Sequence, residues 1–166
     1  MTLPFAALFA LIAAIIETSV LAELPLAGAT ADLVLVCAAV ATVVLGVEDG
    51  LVLAFVGGLL IDMLIPSRPV GAATLAMLLT LGVAFLVART VGPGRRLVSI
   101  GLVLILTAIY HVLFALIMVV TAEAPFALDL TAILVAAVLN AIIAIPVAAF
   151  FGTIERRFGP GERVDW

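Results

Sequence analysis

Long apolar runs, broken only by short clusters of Pro, Gly and charge, recur along the whole of this chain. That pattern leaves few folds open, because a run of about 20 apolar residues is what a membrane helix needs. Of the 166 residues, 67% are hydrophobic and 11% charged, with a mean hydropathy of +1.49. A soluble domain is about half apolar and about a quarter charged, so a water-soluble globule is excluded. The chain has room for five or six spans and little else. It is expected to be an all-α integral membrane protein, a compact six-transmembrane-helix bundle with short loops.

The breakers predict spans over residues 4–22, 30–47, 51–65, 70–91, 97–121 and 126–151, with a polar cytoplasmic tail over 152–166. Glu23-Leu24-Pro25, Glu48-Asp49-Gly50, Pro66-Ser67-Arg68-Pro69 and Gly92-Pro93-Gly94 separate the first five. The first run opens without a basic segment and reads as a retained span rather than a cleaved leader. Cytoplasmic loops keep positive charge. Arg89, Arg95 and Arg96 flank one loop, and Arg156, Arg157 and Arg163 follow the last span. Six spans place both groups on the cytoplasmic side, leave Arg68, Glu23 and Glu123 outside, and put both termini in the cytoplasm. The third run is short; were it re-entrant, the N-terminus would move outside.

Helices in lipid associate through close contact of small residues. Every fourth residue is small or polar in three stripes: Gly50, Ala54, Gly58 and Asp62; Ala72, Ala76, Thr80, Ala84 and Ala88; and Ala132, Ala136, Asn140, Ala144, Ala148 and Gly152. Asp62 therefore faces the bundle, where a carboxylate needs partners. The free amides at the start of the next helix, with Arg68 as a second partner, would make it a lock on a tight turn; a proton or substrate site is the other reading. Glu17, near the outer end of the first span, either reaches the interface or meets a neighbouring helix. His111 and Asn140 fall near mid-span, which suits an interhelical hydrogen bond that Tyr110 could join.

Catalytic chemistry is hard to assemble from these residues. One histidine and one cysteine cannot make a closed four-ligand metal site. Ser19, Ser67 and Ser99 lie away from His111, and a serine nucleophile needs a positioned base. An intramembrane aspartyl protease would need a second aspartate to match Asp62. The seven basic residues are all arginine and the net charge is −4, so no Lys-containing phosphate loop exists and nucleic acid is not an expected partner. Cys37 reads as a small buried hydrophobe. No enzyme activity, cofactor or metal is expected.

The stretch from Glu48 to Leu64, followed by Pro69-Val70-Gly71-Ala72-Ala73-Thr74-Leu75, resembles the central signature of the rod shape-determining MreD family. Gly50, Phe55, Gly58, Leu59, Asp62 and Gly71 fill the signature places, and Ala54 stands where a glycine often precedes the Phe. The motif covers about a sixth of the chain, and hydropathy alone matches the rest. The resemblance implies a non-enzymatic subunit of the bacterial elongation machinery in the inner membrane. Such a subunit binds the bitopic protein MreC, and through it MreB and the glycan polymerase–transpeptidase pair that builds side-wall peptidoglycan. It also implies the fold shared with substrate-binding subunits of energy-coupling-factor vitamin transporters. The alternative function is such a transporter subunit, whose Ala-x-x-x-Ala docking pattern Ala6, Ala10 and Ala14 resemble.

Overall fold

The apolar runs fold as helices throughout. The computed structural model describes residues 3–26, 28–66, 68–91, 96–122 and 125–158. Among these, six α-helices follow one another: α1 (Leu3–Ser19), α2 (Leu33–Val44), α3 (Val47–Leu64), α4 (Ala72–Val91), α5 (Arg96–Ala122) and α6 (Leu130–Phe158). Three stretches are long and apolar enough to cross a membrane: Pro4–Glu23, Ile100–Ala122 and Leu130–Arg156. The break at 92–94, Ser67, Arg95, Glu123 and Arg163 lie outside the described residues, as do the side chains of Ala88, Arg96, Ser99 and Arg157.

One helix sits inside a ring of the others. α2 touches all five remaining helices, while α1, α3, α4, α5 and α6 each pack on the next in that order. The ring closes between α6 and α1 through aromatic side chains: Phe9 stacks on Phe150 at 5.8 Å and meets Phe151 at 5.3 Å. Every residue of α2 from Val34 to Val44 is buried, as expected of a helix that is apolar all round. Its interior is Ala, Val, Leu, Cys and Thr, so five neighbours can approach its backbone closely. Glycines on α3 complete the fit. A Cβ at Gly50 would collide with Thr42 of α2, one at Gly57 with Val34 of α2, and one at Gly58 would lie 2.8 Å from Thr74 Cα on α4. The stripes on α4 and α6 also face inward: Ala76, Thr80 and Ala84, and Asn140, Ala144 and Ala148, are all buried.

The helix limits depart from the hydropathy boundaries in informative places. α2 begins at Leu33 and stops at Val44, about 18 Å of helix at 1.5 Å per residue where residues 30–47 had been expected. The turn comes earlier than the acidic cluster because Gly46 adopts φ 128°, a conformation that side chains rarely accept. Glu48 and Asp49 consequently form the first turn of α3 instead of a loop, where acids complement the positive helix end. α6 continues to Phe158, past the expected end at 151.

Candidate functional site: two helix starts held by acids

Four backbone amides at the start of any helix lack an intrahelical acceptor. α6 solves this locally, since Asp129 Oδ1 accepts from Thr131 N at 2.9 Å and Ala132 N at 3.1 Å. α2 and α4 use a carboxylate from the helix before them.

The α3–α4 joint is centred on Asp62, which is 1% exposed. Its Oδ2 accepts from Gly71 N (3.0 Å), Thr74 N (3.1 Å) and Thr74 Oγ1 (2.8 Å), and its Oδ1 accepts from Ala73 N (2.9 Å). Gly71 reaches this position at φ 97°, so its amide can turn back toward α3. The expected second partner is not used. Arg68 makes no ion pair with Asp62, and its guanidinium lies 4.9 Å from the centre of the Phe114 ring on α5, a cation–π contact. Of the remaining signature residues, Leu59 is half-buried and Phe55 is 52% exposed on the outer face of α3.

The start of α2 is built differently. Glu17 Oε2, on α1, accepts from Val34 N at 2.7 Å, so Glu17 meets a neighbouring helix and serves as its cap. Asp32, at the N-cap position, makes no side-chain hydrogen bond to its own helix. Asn140 of α6 grips it twice, with Oδ1 accepting from Asp32 N at 2.8 Å and Nδ2 donating to Asp32 Oδ2 at 2.9 Å. The second Nδ2 hydrogen goes to Thr107 Oγ1 of α5 at 3.0 Å, and that hydroxyl donates to Val103 O at 2.8 Å. His111, one turn beyond Thr107, places Nε2 3.9 Å from Asp32 Oδ2.

His111 and Asn140 thus come together without touching each other directly; Asp32 and Thr107 stand between them. Tyr110 contributes its ring, edge-on to His111 at 5.4 Å and stacked on Phe114 at 6.0 Å. Asp32 and Thr107 were missed in the sequence. Asp32 looks like an ordinary polar residue before an apolar run, and Thr107 like one of several threonines bonded to its own helix. The signal available for Thr107 was its position one turn before His111.

Cys37 is buried, and among the described residues no group of three or more His, Cys, Asp or Glu is arranged to hold a metal. No protein-family model, curated protein or solved structure matches the chain.

Proposed function

We propose that this chain is a non-enzymatic, six-span scaffold of the MreD type in the bacterial inner membrane, with both termini cytoplasmic. In that role it holds the transmembrane helix of an MreC-type partner and so links MreB to the side-wall polymerase–transpeptidase pair. One observation carries the reading. The signature residues serve architecture: Asp62 gives both carboxylate oxygens to the start of α4, and Gly58 seats α3 against Thr74. A braced α3–α4 hairpin with Leu51, Phe55 and Met63 turned outward suits a protein whose task is to present a helix face. The arginine distribution supports the orientation.

A vitamin-transporter subunit has one feature in its favour, the polar cluster around Asp32 at one end of the bundle. Against it, Ala6, Ala10 and Ala14 are fully buried, on a helix that packs chiefly on α3, which leaves that stripe occupied within the fold. Native purification separates the two readings. The scaffold is expected to co-purify with an MreC-type bitopic protein, and Phe55→Ala to weaken that capture without loss of folded protein. Stoichiometric bound vitamin, or an ATPase pair in place of the bitopic partner, would reverse the conclusion.

A further inference from the structure

The cluster at the start of α2 contains the chain's single histidine, and its geometry fixes where that ring takes up a proton. His111 Nδ1 lies 2.9 Å from the Thr107 carbonyl oxygen. A carbonyl oxygen can only accept, so the hydrogen of the neutral ring sits on Nδ1. Nε2 then presents a lone pair to Asp32 Oδ2 across 3.9 Å. Two acceptors face each other at a separation too long for a hydrogen bond. A proton added at Nε2 reverses the sign of the contact, because a cationic ring beside a carboxylate is an ion pair. We infer that His111 and Asp32 form a proton-operated clamp between α5 and the start of the central helix, closed when the ring is charged and slack when it is neutral.

The other ties at this helix start do not need that proton. Glu17 accepts from Val34 N, and Asn140 holds the Asp32 amide and carboxylate together. Access is also divided. Asn140 and Thr107 are sealed from outside, whereas the side chains of His111 and Asp32 are 29% and 14% exposed. The charged and titratable groups around Asp32 are Glu17 from α1, His111 and Tyr110 from α5, and Arg68 from the α3–α4 turn; α6 contributes only the neutral Asn140. Arg68 stays charged throughout, and Glu17 can accept from Val34 N through an oxygen without a proton. The Glu17–Asp32 acid pair and the ring both take up protons, but only the ring changes the sign of the contact at Nε2. Protonation of the ring closes the clamp, so the clamp adds stability on acidification. Protonation of Asp32 itself opens the clamp again.

The test uses the full chain in lipid nanodiscs with 15N-labelled histidine, where the lone ring gives one pair of nitrogen signals. The expected result is an Nδ1–H tautomer at alkaline pH and a second proton on Nε2 upon acidification. Asp32→Asn should move the Nε2 signal and leave the Nδ1 signal in place. A neutral ring carrying its hydrogen on Nε2, or an Nε2 signal indifferent to Asp32→Asn, overturns the clamp. Thermal unfolding gives the second readout. With Glu17→Gln as the background, which removes the other acid that takes up a proton here, stability should rise on acidification, and His111→Gln or Asp32→Asn added to it should abolish the rise. A rise that persists when His111→Gln is added to Glu17→Gln would belong to Asp32 and would sink the proposal. Should Asp32→Asn fail to fold, the tautomer of the unmodified protein and the His111→Gln pH series decide the matter alone.

Discussion

The α3–α4 joint and the start of α2 solve one problem with different means. At the first, the turn over residues 65–71 is short and α4 begins beside the last turn of α3. One carboxylate reaches three amides and a hydroxyl and is then saturated. At the second, the connection over residues 20–32 is longer and carries a 3-10 turn and a Leu26–Ala29 bridge. α2 starts among its neighbours at one end of the bundle, and Glu17 alone does not serve it. Asn140, Thr107 and His111 are drawn in from α6 and α5 around Asp32. A short connection permits a closed, two-helix lock; a long one produces a node that couples four helices. The first should fail all at once, and the second by degrees.

The sharpest way to break this contrast is Asp62→Leu. It leaves the amides of Gly71, Ala73 and Thr74 without their acceptor, at about 1–3 kcal/mol for each buried donor, a large part of the roughly 5–15 kcal/mol that holds a domain folded. Folded protein recovered from the membrane should fall steeply, with Asp62→Asn milder because its amide oxygen still accepts. Normal accumulation of the Leu variant with loss of partner capture would make Asp62 a working group instead of a lock.

Gly58→Val attacks the same joint through volume. Its new Cβ meets the Thr74 backbone, which cannot rotate away as a side chain tip would. A loss of about 1–3 kcal/mol is expected, read as a lower unfolding temperature in detergent. At the node, Asn140→Ala removes three hydrogen bonds. At about 0.6 kcal/mol each for helix–helix bonds in membranes, the expected loss is near 2 kcal/mol. Adding Asp32→Ala to it should cost less than the sum of the two, because they share partners. The smallest effect belongs to Glu17→Gln, which keeps an acceptor for Val34 N and should change stability by under about 0.5 kcal/mol. Glu17→Leu, which removes the cap, should lose about 1 kcal/mol. Equal losses for Gln and Leu would show that the charge, and not the acceptor, holds α2.

The parts of this architecture legible in the sequence are those governed by local periodicity. All-helical character follows from run length and breakers. The inward face of α3 follows from Gly50, Ala54 and Gly58, whose spacing carries on to Asp62. Gly57 escaped that reading, since a strict four-residue stripe passes over the position seven residues after Gly50, yet both press on α2. The length of α2 was hidden because hydropathy continues through Leu45 and Val47, while the backbone turns at Gly46. The node was least legible. Asp32 and Asn140 are 108 residues apart, and nothing in the local pattern of either points to the other. The outward face of Phe55 was not legible either, because lipid is as hospitable to a large aromatic as the core is.

Burial of α2 on every side also has a bearing on the order in which the protein can be assembled. Its cap from Glu17 lies only 17 residues before Val34 and emerges from the ribosome first, so the α1–α2 pair can satisfy that amide as soon as both are made. The grip of Asn140 arrives 108 residues later. Through the synthesis of α3, α4 and α5, the central helix is a guest in an unfinished ring, and α6 is the piece that encloses it. A chain truncated before α6 would retain most of its apolar length and still present the Asp32 end of α2 without its partner, a mark by which membrane quality control could tell an incomplete copy from a finished one.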